Sequence, residues 1–308
     1  MTKSIAFAEY GSADVLRLQD TELPQPGPGQ VRIAVRAAGV NPLDHKMRAG
    51  LMKDAFPVEL PHVPGAEASG VIEAVGEDVA GLVVGDEVFG RTVTGAYAEQ
   101  AVADASMLTL KPDTLGWEQA AAIPVAAETS YRTLGLLGVR TGETLLIHGA
   151  AGGVGTVTVQ LAVARGVKVI GTASEGNHQH LRDLGAVPVS YGDGLAERVR
   201  AVAPDGVDAA LDTSGQPAAL AASIELTGGT ERVVEIGNPM AAGEFGVRFS
   251  TGGPGEYQGE AAYEEVLALF AAGKLELPIH AAYPLARAAD AQRASEAGHL
   301  TGKIVLTV

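Results

Sequence analysis

The sequence predicts an α/β protein: a doubly wound parallel sheet joined to a second, mostly-β domain. Three stretches predict it. Residues 142–166 read as strand, glycine turn and helix. There, residues 144–148 form a short apolar run suited to a buried parallel strand. A second apolar run, residues 167–172, stands where the next parallel strand belongs. Residues 1–118 break into short apolar strands separated by glycine at close intervals, which suggests a small barrel-like β domain.

The glycine turn carries the first functional expectation. Between the strand and the helix lie Gly149, Ala150, Ala151, Gly152, Gly153, Val154 and Gly155. Val157, Val159, Gln160, Leu161 and Ala164 continue as the helix, with Gly166 as its C-cap. In that context glycines let the backbone approach a pyrophosphate, and the unbonded N–H groups of the helix N-terminus point at it. Gly152, Gly153, Val154 and Gly155 are therefore the dinucleotide-binding candidates. The alternative is a tight strand-to-helix turn that needs small residues only for packing. No Gly-Lys-Ser or Gly-Lys-Thr occurs, which removes a triphosphate-binding loop.

Composition narrows the classes. The chain has 308 residues, natural for two domains, with 46% hydrophobic and 19% charged residues. Lys and Arg total 22 against 37 Asp and Glu, a formal net charge of −15. That surface argues against nucleic acid or an anionic membrane as a general partner. There is no cysteine, so disulfides, thiolate zinc sites and thiol nucleophiles are excluded. Residues 1–10 are too short and too polar for a signal peptide, and no apolar run reaches membrane-spanning length. The expected address is cytoplasmic.

In chain order, residues 4–8 and 31–36 read as strands, and residues 24–29 as a turn-rich connector. Asn41-Pro42 starts a turn, and residues 44–48 read as a short helix. Residues 120–138 are alanine-rich and read as a helix entering the second domain. Residues 181–185 close another helix, and residues 187–191, 207–212 and 232–236 read as further strands. Ligands bind at the carboxyl ends of such strands, which places Thr213, Ser214, Gly237 and Asn238 near a cofactor. Residues 240–259 read either as a wall of the substrate pocket or as an ordinary surface excursion. His148 reads as a core residue, and Asp208 and Asp212 as structural carboxylates.

Several ordered motifs together resemble one family. They are Asn41-Pro42-x-Asp44, Pro64-Gly65-x-Glu67-x-x-Gly70-Val71-Ile72, Gly85-Asp86-x-Val88, the glycine turn with Gln160, and the end from Gly302-Lys303 through Leu306. The chain resembles the medium-chain dehydrogenase/reductase superfamily over nearly its whole length. It is most similar to the zinc-independent quinone oxidoreductase (zeta-crystallin-like) branch. The resemblance implies a GroES-like domain from residues 1–118, an inserted Rossmann domain from residues 119–260, and a return segment from residues 261–308. The crossings are placed near Trp117 and Glu260. It also implies a homodimer, with Asn41 and Thr129 near the nicotinamide and Lys303 near the cofactor.

By the same resemblance, Ala173 stands where an NAD-dependent relative carries the acid that binds the ribose. Small neutral residues there favour NADP(H). Ser174 can donate to the 2′-phosphate, with Asn177, His178 and Tyr191 as further candidate contacts; Glu175 argues for NAD. The zinc-dependent branch carries a Cys near the Asn41 position and a His before the Glu67 position. This chain has Asn41 and Ala66 there, so no metal is expected. No tyrosine is followed four positions later by lysine, and there is no Gly-x-Ser-x-Gly or His-Glu-x-x-His. The expected activity is hydride transfer from NADPH to a small quinone or α,β-unsaturated carbonyl. Asn41 would act as donor to the acceptor oxygen, and Asp44 as helix cap or proton donor. The competing reading is a non-catalytic NADPH-binding redox sensor or partner-binding protein.

Overall fold

The structure is a computed structural model and describes residues 1–253 and 255–308. Contacts divide the chain into two compact units. One comprises Met1–Val125 with Leu277–Val308, the other Ala126–Glu276.

The first unit opens with β1 (Thr2–Ala6), paired antiparallel with β2 (Arg17–Thr21). The long β3 (Gln30–Val40) ends at Asn41, the N-cap of α1 (Pro42–Arg48). Pro42 sits at the first helical position, where its missing N–H costs nothing and its fixed φ suits the helix. Then come β4 (Glu67–Val75), β5 (Glu87–Arg91), β6 (Gln100–Asp104) and β7 (Leu108–Leu110). α2 (Trp117–Leu137) begins in this unit and continues into the next.

The second unit alternates strand and helix. Its elements are β8 (Thr144–His148), α3 (Gly153–Ala164), β9 (Lys168–Ala173), α4 (His178–Asp183), β10 (Val187–Ser190), α5 (Leu195–Val202), β11 (Ala209–Asp212), α6 (Pro217–Thr227), β12 (Val233–Glu235), α7 (Pro239–Phe245), β13 (Arg248–Phe249) and α8 (Gly259–Ala271). The strands pair in parallel in the order β10-β9-β8-β11-β12-β13. Counted from β8 as the first, that is 3-2-1-4-5-6, the doubly wound dinucleotide-binding order. Leu146, Ile170, Val189, Ala210 and Val233 fill its core with Leu220 of α6. Burial on both faces explains why these strands are apolar runs rather than alternating patterns. Of the predicted wall at 240–259, α7 and β13 occupy part, and residue 254 lies outside the described residues.

The chain then returns to the first unit as β14 (Ile279–Pro284), α9 (Ala288–Ala297) and β15 (Lys303–Thr307). The sheet order there is β14-β15-β3-β4-β5-β7, with β6 on the other half of β3. Its core holds Ile33, Val35, Ile72, Val88, Tyr97 and Ile304. The sequence places the return near Glu260; by contacts, α8 and the chain through Glu276 belong to the second unit. Among the described residues no helix is long and apolar enough to cross a membrane.

Candidate active site

The register of three neighbouring strands builds a buried polar knot in the first unit. Ile304 of β15 pairs with Val40, and Ala68 of β4 pairs with Ala38, so Lys303, Asn41 and Glu67 meet at one end of β3. Lys303 Nζ donates to Asn41 Oδ1 at 2.6 Å, to Glu67 Oε1 at 2.7 Å and to the Val40 carbonyl at 3.3 Å. Asn41 Nδ2 donates to Glu67 Oε1 at 2.8 Å. The other carboxylate oxygen, Glu67 Oε2, accepts the Val125 N–H at 2.7 Å. Val125 follows Pro124, the proline inside α2. All three side chains are buried, Glu67 completely. Gly39 makes room for the carboxylate: a Cβ there would lie 2.2 Å from Glu67 Oε1.

Asp44, one turn into α1, is also buried. Its Oδ2 accepts the Asn41 backbone N–H at 2.9 Å and the Tyr97 hydroxyl at 2.9 Å. The first bond is a capping interaction; the second ties the helix start to the core. Burial, only partly offset by these bonds, pushes the Asp44 carboxyl from 3.8 up to about 6. Tyr97 is pushed well above its usual range by burial and by the charge of Asp44. Because the folded value lies above the unfolded one, Asp44 supports the fold fully below pH 3.8, and that support is lost as pH rises through about 6. Asp44→Asn stays neutral while keeping an acceptor oxygen. The variant is expected to gain up to about 3 kcal/mol relative to the parent between pH 4 and 7. Urea midpoints measured across that range check it; parallel pH profiles would refute it.

In the second unit the glycines set the backbone of the turn between β8 and α3. Gly149 adopts φ +70°, where a Cβ would meet Thr213 Oγ1 at 2.6 Å. Gly155 packs α3 onto the turn: a Cβ there would lie 2.4 Å from the Gly149 carbonyl oxygen and 2.6 Å from Ala150 Cα. Gly152 is the N-cap of α3, has no side chain to cap with, and has an ordinary φ of −71°. The nearest atom to a Cβ at Gly152 is the Gly149 carbonyl oxygen, at 3.4 Å. The N–H groups of Gly153 and Val154 open the helix, where no intrahelical acceptor exists. A dinucleotide pyrophosphate fits this cradle. The two glycines differ: position 155 is closed by backbone, so a side chain there disturbs the fold, whereas position 152 has room for a Cβ.

β9 ends at the buried Ala173, paired with Ser190. Ser174 caps the turn at 175–177 through its backbone, not its hydroxyl; Ser174 Oγ accepts from Asn177 Nδ2 at 3.4 Å. His178 Nε2 lies 3.5 Å from Ser190 Oγ, and Tyr191 is exposed. His180 is half-buried, its Nε2 3.2 Å from Thr156 Oγ1 of α3. Thr129 is buried in α2, its carbonyl accepting from Thr133 Oγ1 at 2.7 Å.

The loops after β11 and β12 converge. Asp212 Oδ1 accepts from the Ser214 N–H at 2.7 Å, the Ser214 hydroxyl at 2.6 Å and the Gly215 N–H at 3.3 Å. Glu235 Oε1 accepts the N–H of Gly237 and, at 2.9 Å, that of Asn238. Asn238 Nδ2 donates to the Gly215 carbonyl at 3.1 Å, joining the two loops. Burial, then the neighbouring Asp212 charge, pushes the Glu235 carboxyl up to about 8. His148 is a core residue, between Thr172 Oγ1 at 3.1 Å and Ser223 Oγ at 3.0 Å, with its pKa lowered by burial.

Comparison with known proteins identifies the whole. Residues 27–113 match the alcohol dehydrogenase GroES-like domain, and residues 184–306 the zinc-binding dehydrogenase family. A quinone oxidoreductase from Coxiella burnetii superposes with a TM-score of 0.85 at 30% identity, over 100% of this chain and 99% of that one. The chain is a medium-chain dehydrogenase/reductase. A mycobacterial protein solved in complex with NADPH superposes with a TM-score of 0.87 at 31% identity, over 100% of both chains. The 2-methylene-furan-3-one reductase of Solanum lycopersicum is 34% identical over 99% of this chain and 78% of its own length. These relatives mark an oxidoreductase on the quinone oxidoreductase-like side of the family.

The zinc that one family description names does not fit the donor set of this medium-chain dehydrogenase/reductase. At the knot one carboxylate, Glu67, faces an ammonium, and that ammonium already lies between Glu67 and Asn41. A cation there would meet a fixed positive charge and would lack the three or four N, S or O ligands a zinc site uses. Among the described residues no group of three His, Cys, Asp or Glu could hold a metal. The expectation of Lys303 as a cofactor contact is also narrowed, because its three protons already have three acceptors. Glu67, Tyr97 and Glu235 were not singled out from the sequence. Glu67 stood inside a quoted motif, and only strand register pairs it with Lys303.

Proposed function

We propose that this oxidoreductase carries a hydride from NADPH to small quinones or α,β-unsaturated ketones without a metal. The supporting observation is the Lys303–Asn41–Glu67 knot, in which a lysine ammonium polarises the one neutral donor of the site. NADPH, when bound, supplies the hydride. Gly152, Gly153 and Val154 would hold its pyrophosphate at the start of α3, with Ser214, Gly237 and Asn238 beside the carboxyl ends of β11 and β12. Ala173 puts no carboxylate at the end of β9 itself, and Glu175, in the turn beyond it, is the remaining acid on that side. Ser174, whose Oγ accepts from Asn177, keeps its O–H to donate. Asn177, His178 and Tyr191 complete that side, and Thr129 is assigned to the nicotinamide end.

Asn41 Nδ2 carries two protons, and Glu67 takes one. The second is the donor assigned to the acceptor oxygen. Lys303 withdraws density from Asn41 Oδ1, which strengthens that donor cooperatively. One such donor is worth about 3 kcal/mol to a developing oxyanion. That suffices for an acceptor whose conjugation already spreads the charge, but not for a simple ketone. The final proton comes from solvent. The tomato relative's name describes such an acceptor, a methylene conjugated with a ring ketone. Asp44 acts as a cap for the turn that presents Asn41. A homodimer is part of this reading.

NADPH oxidation followed at 340 nm is expected with 1,4-benzoquinone or a small enone, with little turnover of ethanol or secondary alcohols. Ala173→Asp is expected to weaken NADPH by on the order of 4 kcal/mol and NADH far less. Equal affinity of the parent protein for both cofactors would refute the NADPH preference. Alcohol oxidation by chelator-treated protein, with quinones and enones inert, would overturn the reaction class.

A further inference from the structure

Asp212 and Glu235 stand directly opposite each other on the parallel strands β11 and β12, so their side chains leave the same face of the sheet. Both are fully buried. Their outer oxygens hold the loops after the two strands, as described. Their remaining oxygens, Asp212 Oδ2 and Glu235 Oε2, have no other partner. Two ionised carboxylates so placed would repel strongly in a medium without water. A single proton between the two inner oxygens removes the repulsion and satisfies both atoms.

We propose that Asp212 and Glu235 are positioning residues: Glu235 Oε2 carries a proton that it donates to Asp212 Oδ2, and the bridged pair locks the Ser214–Gly215 and Gly237–Asn238 loops together. With the proton in place, one negative charge serves the N–H groups of both loops. The Asn238 to Gly215 bond closes the ring of contacts. Removal of the proton puts two like charges in contact and drives the loops apart. The raised Glu235 pKa agrees with this arrangement. The titratable group facing the pair is His148 of β8, opposite Asp212 in register. Its neighbours Thr172 on β9 and Ser223 on α6 are uncharged. Burial lowers the His148 pKa, so it titrates on the acid side and Glu235 on the alkaline side.

The loops become a cofactor edge only on the reading given under Proposed function, so the test has two readouts. The first is hydrogen exchange of the Ser214, Gly215, Gly237 and Asn238 amides in nucleotide-free protein, corrected for intrinsic rates, from pH 6 to 9.5. Protection in the parent protein should fall at least tenfold across the alkaline half of that range. Glu235→Gln places an amide N–H where the proton was and should hold protection nearly constant. The second readout is the NADPH dissociation constant over the same range. It should weaken about tenfold at the alkaline end in the parent and stay flat in Glu235→Gln. Glu235→Ala should lose protection at every pH; if that variant does not fold, the Glu235→Gln profile decides alone. Parallel alkaline profiles for the parent and Glu235→Gln would overturn the bridge. The expected exchange pattern with no NADPH binding would leave the bridge standing and refute the cofactor assignment.

Discussion

Lys303→Met is expected to destabilise the first unit by about 3–5 kcal/mol, the cost of leaving a buried charge without its partner. Glu67 is fully buried, and two of its three hydrogen bonds come from within the knot. Removing the ammonium leaves a carboxylate served by one amide and one backbone N–H. Glu67→Gln, the reverse lesion, leaves the ammonium facing neutral groups. The double variant Lys303→Met with Glu67→Gln removes both charges and should recover a large part of the loss, because desolvation of each ion offsets much of their attraction. Trp117 is the chain's one tryptophan, lies in the same unit, and accepts a bond from Ser69 Oγ at 2.7 Å on its carbonyl. Its fluorescence in a urea titration therefore reports this unit's unfolding. A Lys303→Met midpoint indistinguishable from the parent would show that the knot is not what holds these strands together.

Gly152→Val is expected to raise the NADPH dissociation constant at least a hundredfold while leaving the thermal midpoint nearly unchanged. The space at Gly152 accepts a Cβ against the protein, and its φ suits any residue. The added side chain would instead fill the approach of the pyrophosphate to the helix N-terminus. Losing two charge-assisted bonds from N–H groups costs about 3–6 kcal/mol, which corresponds to a factor of a hundred or more. Gly155→Val should behave differently, because its Cβ collides with the Gly149 carbonyl and Ala150 Cα. That variant is expected to lose binding and thermal stability together. Intrinsic NADPH fluorescence and circular dichroism melts separate the two cases. A Gly152→Val protein that folds and binds NADPH as the parent does would remove the turn from the site.

Much of the fold was legible because its signals are local. The apolar runs of β8 and β9, the glycines between β8 and α3, and Pro42 after Asn41 each act within a few residues. Dihedral limits and burial on both sheet faces dictate them wherever the rest of the chain lies. Element ends were less legible: β3 extends to Val40, beyond the expected residue 36, because β15, whose Ile304 pairs with Val40, supplies the pairing from the far end of the chain.

The sequence by itself determined a glycine turn between a buried strand and a helix, a chain without thiolate ligands and a neutral end to β9. It displayed Asn41, Glu67 and Lys303 as three separate motif residues, and Asp212 and Glu235 as two unrelated acids. Only the tertiary structure decided that the first three form one buried ion-paired knot and that the two acids face each other. The physical reason is that register between strands distant in sequence fixes which polar side chains share a dry space. Inside that space, charge, proton and donor strength are properties of the group rather than of any residue in it.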